Sequence, residues 1–212
     1  MEAPKLIIFD VDGTLVNSYP AIIASMNYAL RKRGLPTQRD DRIRRAVGWG
    51  DRELVAAFVD RSDIDKTLAL YRQHHKHSLR VEIAFMPYAR QLLRHLKKRG
   101  YKVAIASNRP RRFLAILLTS LRIEKLFDYV LCKDQISFGK PHPSILNKII
   151  KQLSVPKKNV LYVGDMAIDV KTGKRANVAT CAVATGSSSF AELRHAHPDF
   201  LYRDLSPLLT IL

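Results

Sequence analysis

Two apolar runs in this sequence end in more acid than a turn requires. "KLIIFDVDGT" closes on Asp10 and Asp12, and "NVLYVGDMAID" closes on Asp165 with Asp169 four residues later. In extended backbone, residues two apart point to the same side, so Asp10 and Asp12 can address one small volume. Two carboxylates that close repel each other, and one keeps its proton unless a cation compensates. Mg²⁺ suits that task, being a hard ion that takes oxygen ligands, keeps several waters and leans on a substrate phosphate. Asp165 is expected to supply a further carboxylate, with Asp169 supporting it from the same helical face. The competing expectation is that Asp165 caps the next helix and Asp169 is a solvated acid in its first turn.

A third run, "YKVAIASN", ends in Ser107 and Asn108. A hydroxyl and an amide at a strand end can bind phosphate oxygens with help from backbone N–H groups. Ser-Asn before Arg-Pro is also ordinary turn chemistry. Lys140 in "FGKPHP" is one lysine among many, and it gains meaning only if its loop reaches the same crevice.

The elements between these residues decide whether they meet. "KLIIF", "YKVAIAS", "DYVLC", "NVLYVG" and "VATCAVAT" are short, apolar and rich in β-branched residues, as strands buried on both faces are. Helices are expected at Pro87–Arg99, with Pro87 in the first turn and Gly100 closing the end, at Pro143–Leu153, and over "DMAIDVKTGKRAN". A further short strand is expected around Asp199–Tyr202. This alternation predicts an α/β fold with a mainly parallel sheet between helical layers. Ligands in such sheets bind outside the carboxyl ends of the strands. There the three runs deliver polar residues to one edge.

One interval breaks the rhythm. Residues 17–84 show amphipathic stretches and no strand, which predicts an inserted helical module, with residues 1–16 and 85–212 forming the sheet-bearing part. Hinges are expected near Leu15–Ser18 and Ile83–Pro87. Within the insert, "HHKH" offers His74, His75 and His77. Adjacent histidines on a helix diverge, so a solvated face is expected rather than a metal site.

Composition sets outer bounds. The 212 residues, 47% hydrophobic with nine Gly and ten Pro, describe a globular chain without repeats. No charged leader with a long apolar stretch stands at the N-terminus, so a cytoplasmic protein with no membrane partner is expected. Cys132 and Cys181 lie in apolar segments and are expected as buried thiols. The chain carries 36 Lys plus Arg against 19 Asp plus Glu, a net +17. The cations fall in short clusters without a recognised nucleic-acid motif, so basic helix faces in solvent are the first expectation and a nucleic-acid surface the second. Such a surface can also steer small anions to a site.

Taken in order, "DVDGTLVNS", "ASN", "GKPHP" and "VGDMAIDV", with the helical insert after the first, resemble the haloacid dehalogenase superfamily. More narrowly the chain is similar to its phosphoglycolate phosphatase-like branch, over nearly its whole length. The resemblance implies a Rossmann-like three-layer core with an inserted α-helical cap. It implies a phosphatase acting on a small phosphorylated metabolite, with Asp10 as nucleophile forming an aspartyl-phosphate. Asp12 would be general acid and then base, its backbone carbonyl helping to hold Mg²⁺. Ser107, Asn108 and Lys140 would bind the phosphoryl group, Asp10 and Asp165 would hold Mg²⁺, and Asp169 would join or back that ligand set. Gly48, Trp49, Gly50 and Arg52 in "VGWGDRELV" are the cap candidates for substrate contact. Asn177 stands where the branch typically has Gly, and Asn17 where it often has Asp. A β-phosphoglucomutase-like phosphotransferase and a pyrophosphatase share these motifs, and a non-catalytic nucleic-acid-binding protein on the same fold is the rival of another class. A monomer or homodimer is expected.

Overall fold

The structure, a computed structural model, describes residues 4–212; the first three residues of the expected core segment 1–16 lie outside them. Five strand segments anticipated from apolar runs form β1 (Leu6–Phe9), β4 (Lys102–Ser107), β5 (Tyr129–Cys132), β6 (Val160–Gly164) and β7 (Ala179–Val183), and the expected edge strand is β8 (Phe200–Tyr202). They pair in parallel in the order β5-β4-β1-β6-β7-β8.

Strand alternation sorts the core into two layers. Ile7 and Phe9 of β1, Val103 and Ile105 of β4, and Leu161 and Val163 of β6 share one apolar cluster. Leu6 and Ile8, Ala104 and Ala106, and Val160 and Tyr162 share the other. On the first face lie α5 (Ala89–Lys98), α6 (Arg111–Leu121) and α10 (Leu208–Ile211), contributing Leu92, Leu96, Leu117 and Leu208. On the second lie α7 (Ser144–Leu153) and α8 (Ala167–Ala176), contributing Ile145, Ile149 and Ala176. A final short helix, α9 (Phe190–His195), precedes β8. A strand buried on both faces must be apolar throughout, which is why these runs do not alternate.

Three helix starts differ from expectation, among them α8, which begins at Ala167 and not at Asp165. α5 begins at Ala89, because Tyr88 takes a left-handed φ of 64° and leaves Pro87 outside the first turn. Its end is as expected, with Gly100 at φ 79° donating its N–H to the Lys97 carbonyl. α7 starts at Ser144 with Pro143 in the cap position. Asn177, in place of the typical Gly, follows α8 at φ 56°, a conformation that Asn tolerates better than most residues.

The interval without long strands holds α1 (Tyr19–Lys32), α2 (Asp40–Ala46), α3 (Asp51–Ala56) and α4 (Ile64–Val81). A two-residue antiparallel ribbon, β2 (Val16–Asn17) with β3 (Ala84–Phe85), joins both of its ends to the rest of the chain. The Met86 N–H donates to the Leu15 carbonyl just below that ribbon. These helices bury a cluster of their own around Ile22, Met26, Leu30, Ile43, Leu54 and Tyr71. Ala21 and Leu79, near the ribbon, pack instead into the cluster of the sheet. No helix among the described residues is long and apolar enough to cross a membrane, and Cys132 and Cys181 are both buried and free.

Candidate active site

The carboxyl ends of β1, β4 and β6 lie side by side, because β1 pairs with β4 on one flank and β6 on the other. Asp10 and Asp12 follow β1, Ser107 and Asn108 end β4, and Asp165 follows β6. Together with Lys140 and Asp169 they form one buried polar centre. Asp10 is 5% exposed, Lys140 5%, Asp165 0% and Asp169 2%. Burial on that scale is tolerated only where charges are paired and hydrogen-bonded.

Lys140 sits in a loop whose peptide to Pro141 is cis. Its Nζ lies 2.9 Å from Asp10 Oδ1 and 2.7 Å from Asp169 Oδ1. Asp169 also accepts from the Tyr162 hydroxyl at 2.7 Å and from the Met166 N–H at 3.1 Å. Asp165 accepts from the Thr14 hydroxyl at 2.8 Å and from the Ser187 N–H at 3.0 Å. The cap position of α8 therefore belongs to Met166, and the expectation of Asp165 as a helix cap with a solvated Asp169 does not describe this site. Both carboxylates are turned inward by donors from other elements.

Charge in this centre is unbalanced. Asp10, Asp165 and Asp169 bring ligand oxygens within 4.8 Å of one another, and Lys140 is the cation that touches two of them. Three carboxylates against one ammonium leave two negative charges, which one divalent cation would balance. The pKa values register the strain. Burial, with the charges of Asp169 and Asp12, pushes Asp10 up to about 7 against the pull of Lys140. Burial and the charges of Asp10 and Asp169 push Asp165 well above the carboxylate range. Burial alone would lower Lys140, but Asp10 and Asp169 outweigh it and raise its pKa. An all-oxygen donor set with surplus negative charge fits a hard divalent cation.

Asp12 is different. Burial would raise it too, yet the charge and hydrogen bonds of Arg109, with the Ser18 hydroxyl, hold it below its ordinary value. The Arg109 guanidinium grips it with one edge, Nη2 at 2.6 Å from Oδ1 and Nε at 3.0 Å from Oδ2. A third guanidinium nitrogen, Nη1, lies 2.7 Å from His75 Nε2. His75 is 1% exposed, stacked on Tyr71 and edge-on to Phe113. Its Nδ1 lies 3.1 Å from the Ser25 hydroxyl, which donates to the Ala21 carbonyl. Ser25 therefore accepts from Nδ1–H, and Nε2 accepts from Arg109. Burial and the Arg109 charge hold His75 well below its ordinary pKa, as the neutral ring.

A cavity of about 40 Å³ opens onto Asp10, Asp12, Ser107 and Lys140 from below and onto Gly48, Gly50, Tyr71 and His75 from the helices above. Gly48 sits at φ 118°, and a Cβ there would strike the Met166 thioether. Gly13, at φ 87°, packs against Tyr19 and Asp165 with no room for a side chain. Asn108 lines the cavity, but its amide is spent on framing it: Nδ2 donates to the Gly48 carbonyl at 2.9 Å and the Lys140 carbonyl at 3.2 Å, and Oδ1 accepts from the Lys140 N–H at 2.9 Å. Of the four cap candidates, Gly48 and Gly50 reach the cavity. Trp49 is 48% exposed and offers its carbonyl to Lys133 Nζ at 2.9 Å. Arg52 is also exposed and pairs with Asp65.

The largest departure from the sequence reading is His75. The "HHKH" segment is solvated only in part: His77 is exposed, His74 half-buried and His75 sealed in the site. The helical stripe Leu68, Tyr71, His75, Leu79, all buried in α4, was the available signal. Arg109, which looked like one cation of a basic cluster, follows Ser107 and Asn108 off the end of β4, and that position alone placed it beside Asp12. Thr14 and Ser18, inside the first motif, carry no signal beyond being hydroxyls near two acids.

Residues 7–183 match the profile of the haloacid dehalogenase-like hydrolases. The chain is 32% identical to a phosphoglycolate phosphatase of Pseudomonas syringae pv. tomato, covering 97% of this chain and 79% of that protein. It is 29% identical to the phosphoglycolate phosphatase of Haemophilus influenzae, covering 98% of each. The crystal structure of a predicted phosphoglycolate phosphatase from Haemophilus somnus superposes with a TM-score of 0.93 at 26% identity, over all of this chain and 99% of that one.

Proposed function

This chain belongs to the haloacid dehalogenase-like hydrolase family, and from that premise we propose that it is a Mg²⁺-dependent phosphatase of small, phosphoglycolate-like monoesters, working through an aspartyl-phosphate on Asp10. The observation that carries this is the pairing of Asp10 Oδ1 with Lys140 Nζ at 2.9 Å, just beyond the carboxyl end of β1 inside the sheet, with Asp12 two residues on. A carboxylate held by a fixed ammonium in a dry site is oriented for attack and not merely solvated.

In the first half-reaction an Asp10 oxygen forms a bond to phosphorus as the ester P–O bond breaks, and Asp12, which must first leave the Arg109 fork and take a proton from solvent, gives that proton to the departing oxygen. In the second, Asp12 takes a proton from water, whose oxygen attacks the phosphorus and releases phosphate, returning Asp10 to a carboxylate. Ser107 and Lys140 hold phosphoryl oxygens during both steps, and the Asn108 amide keeps Lys140 in place. Asp10, Asp165, the Asp12 carbonyl and Asp169, as ligand or support, would hold Mg²⁺, which when bound supplies Lewis-acid neutralisation of charge between the phosphate and the acids. The segment 17–84 acts as the cap that selects substrate and excludes water, and the segments 1–16 and 85–212 carry the chemistry. The setting is the cytoplasm.

The test is phosphate release from a panel of small phosphate esters, with Mg²⁺ and with EDTA, by the native chain and by Asp10→Asn. Turnover that needs Mg²⁺ and disappears in the variant supports the mechanism. Turnover by Asp10→Asn at the native rate would overturn it.

A further inference from the structure

The cavity has two cations in its wall, Lys140 and Arg109, and the first is occupied with Asp10 and Asp169. Arg109 is thus the cation that faces whatever lies beyond the phosphoryl group. Its side chain is 6% exposed, and its position is fixed from two sides. Its own backbone N–H donates to the Ser107 hydroxyl at 3.1 Å, and its guanidinium meets the neutral ring of His75 on α4. The site is already shaped for a planar anion, because the fork holds the Asp12 carboxylate by two bonds, at 2.6 and 3.0 Å. The same grip occupies both Asp12 oxygens, Oδ1 with Nη2 and Oδ2 with Nε. A cation on a built, buried mount, occupied by a group that must be elsewhere during the reaction, is a site for exchange.

We propose that Arg109 is the residue that selects the substrate's organic half, by taking a carboxylate that lies a bond or two from the ester oxygen and releasing Asp12 in exchange. A single carboxylate matches a single guanidinium in charge, in planarity and in its paired acceptors. His75 keeps the fork pointed into the cavity while its anionic partner changes, since its ring nitrogen stays on Nη1. A neutral ester of the same length offers nothing that can displace Asp12, so it meets a site whose acid is still clamped. Discrimination on this basis lies in the exchange itself: a carboxylate ester frees Asp12 for proton transfer, and a neutral ester leaves Asp12 paired with Arg109.

The inference rests on the phosphatase reading, and the experiment separates the two. Two esters of equal length, 2-phosphoglycolate and 2-hydroxyethyl phosphate, are compared by kcat/KM in the native chain, Arg109→Lys and Arg109→Gln. The native chain is expected to favour the carboxylate ester, and the ratio is expected to fall by roughly 10- to 100-fold in Arg109→Gln, with a smaller fall in Arg109→Lys, whose ammonium keeps the charge but not the fork. The loss is expected as a raised KM for 2-phosphoglycolate. A role confined to aligning Asp12 would lower kcat on both esters alike and leave the ratio unchanged, and that result overturns the proposal. Should Arg109→Gln fail to fold, Arg109→Lys carries the comparison. The same esters titrated calorimetrically into Asp10→Asn, with and without Arg109→Lys, read the preference without turnover. If the native chain hydrolyses neither ester the phosphatase reading fails, and equal binding of the two esters by Asp10→Asn removes this inference independently.

Discussion

Asp10→Asn should make the metal-free protein more stable while abolishing its activity. In the folded chain Asp10 is raised from 3.8 to about 7 by burial and by neighbouring acids, against the attraction of Lys140. A carboxyl whose folded pKa lies above its unfolded value favours the fold while protonated, and loses that advantage as pH rises from about 4 through about 7. Above pH 7 the ionised group is a burden. A shift of about three pKa units corresponds to roughly 4 kcal/mol, and relaxation of the site with partial loss of the Lys140 contact reduces the recoverable part to about 1–3 kcal/mol. For a chain of this size that is a rise in Tm of roughly 2–10 °C. Thermal melts of both proteins in EDTA from pH 4 to 8.5 test this. The two curves should nearly coincide at pH 4 and separate with rising pH, the variant melting higher. Saturating Mg²⁺ should then raise the native Tm more than that of the variant, since the variant has one acid fewer to hold the ion. A variant that melts at or below the native temperature throughout would refute the account of surplus negative charge.

The other acids and their counter-charge give distinct outcomes. Lys140→Met removes the cation that Asp10 and Asp169 share, and should cost about 3 kcal/mol in a denaturant titration at pH 8 as well as the activity; a stable variant would show that Lys140 is not the balancing charge. Asp12→Asn should lower kcat by roughly 10²- to 10⁴-fold, measured as steady-state phosphate release, and a loss below tenfold would remove Asp12 from proton transfer. Asp165→Asn should raise the Mg²⁺ concentration for half-maximal activity by at least about tenfold, while its Tm in EDTA rises. If the net +17 steers anionic substrate, kcat/KM should fall as salt rises from about 20 to 500 mM with kcat constant, and a flat profile would end that idea.

Much of this architecture is legible in the sequence because buried parallel strands have little choice. Leu6–Phe9 and Val160–Gly164 must be apolar on both faces, so their ends mark where the chain leaves the core, and the acids standing there mark the site. The helical insert is legible from the amphipathic periodicity of residues 17–84. What stays hidden is contact across the seam between helices and sheet. Nothing local to His75 says that its helix will press it onto Arg109, because that depends on the packing of α4 against α6. The start of α5 is hidden for a similar reason. Proline after methionine looks like a first helical turn, but the left-handed Tyr88 that re-aims the chain carries no local signature.

The division of apolar clusters described above has a thermal consequence. The seam over the site mixes polar and apolar contacts: Arg44 donates to the Thr185 and Gly186 carbonyls, Arg45 pairs with Glu192 and Lys133 with Glu53, while Ala21 and Leu79 join the sheet cluster and His75 meets Phe113. Swinging the helices away on their ribbon, two residues in each strand, exchanges the polar contacts for water and uncovers the apolar ones at Ala21, Leu79 and Phe113, while the two larger clusters stay closed. Heat-capacity change tracks exposed apolar area, so opening should carry a small positive value, whereas unfolding either cluster should carry the usual large one. The open–closed balance would then curve less with temperature than the stability of the cores on either side of it.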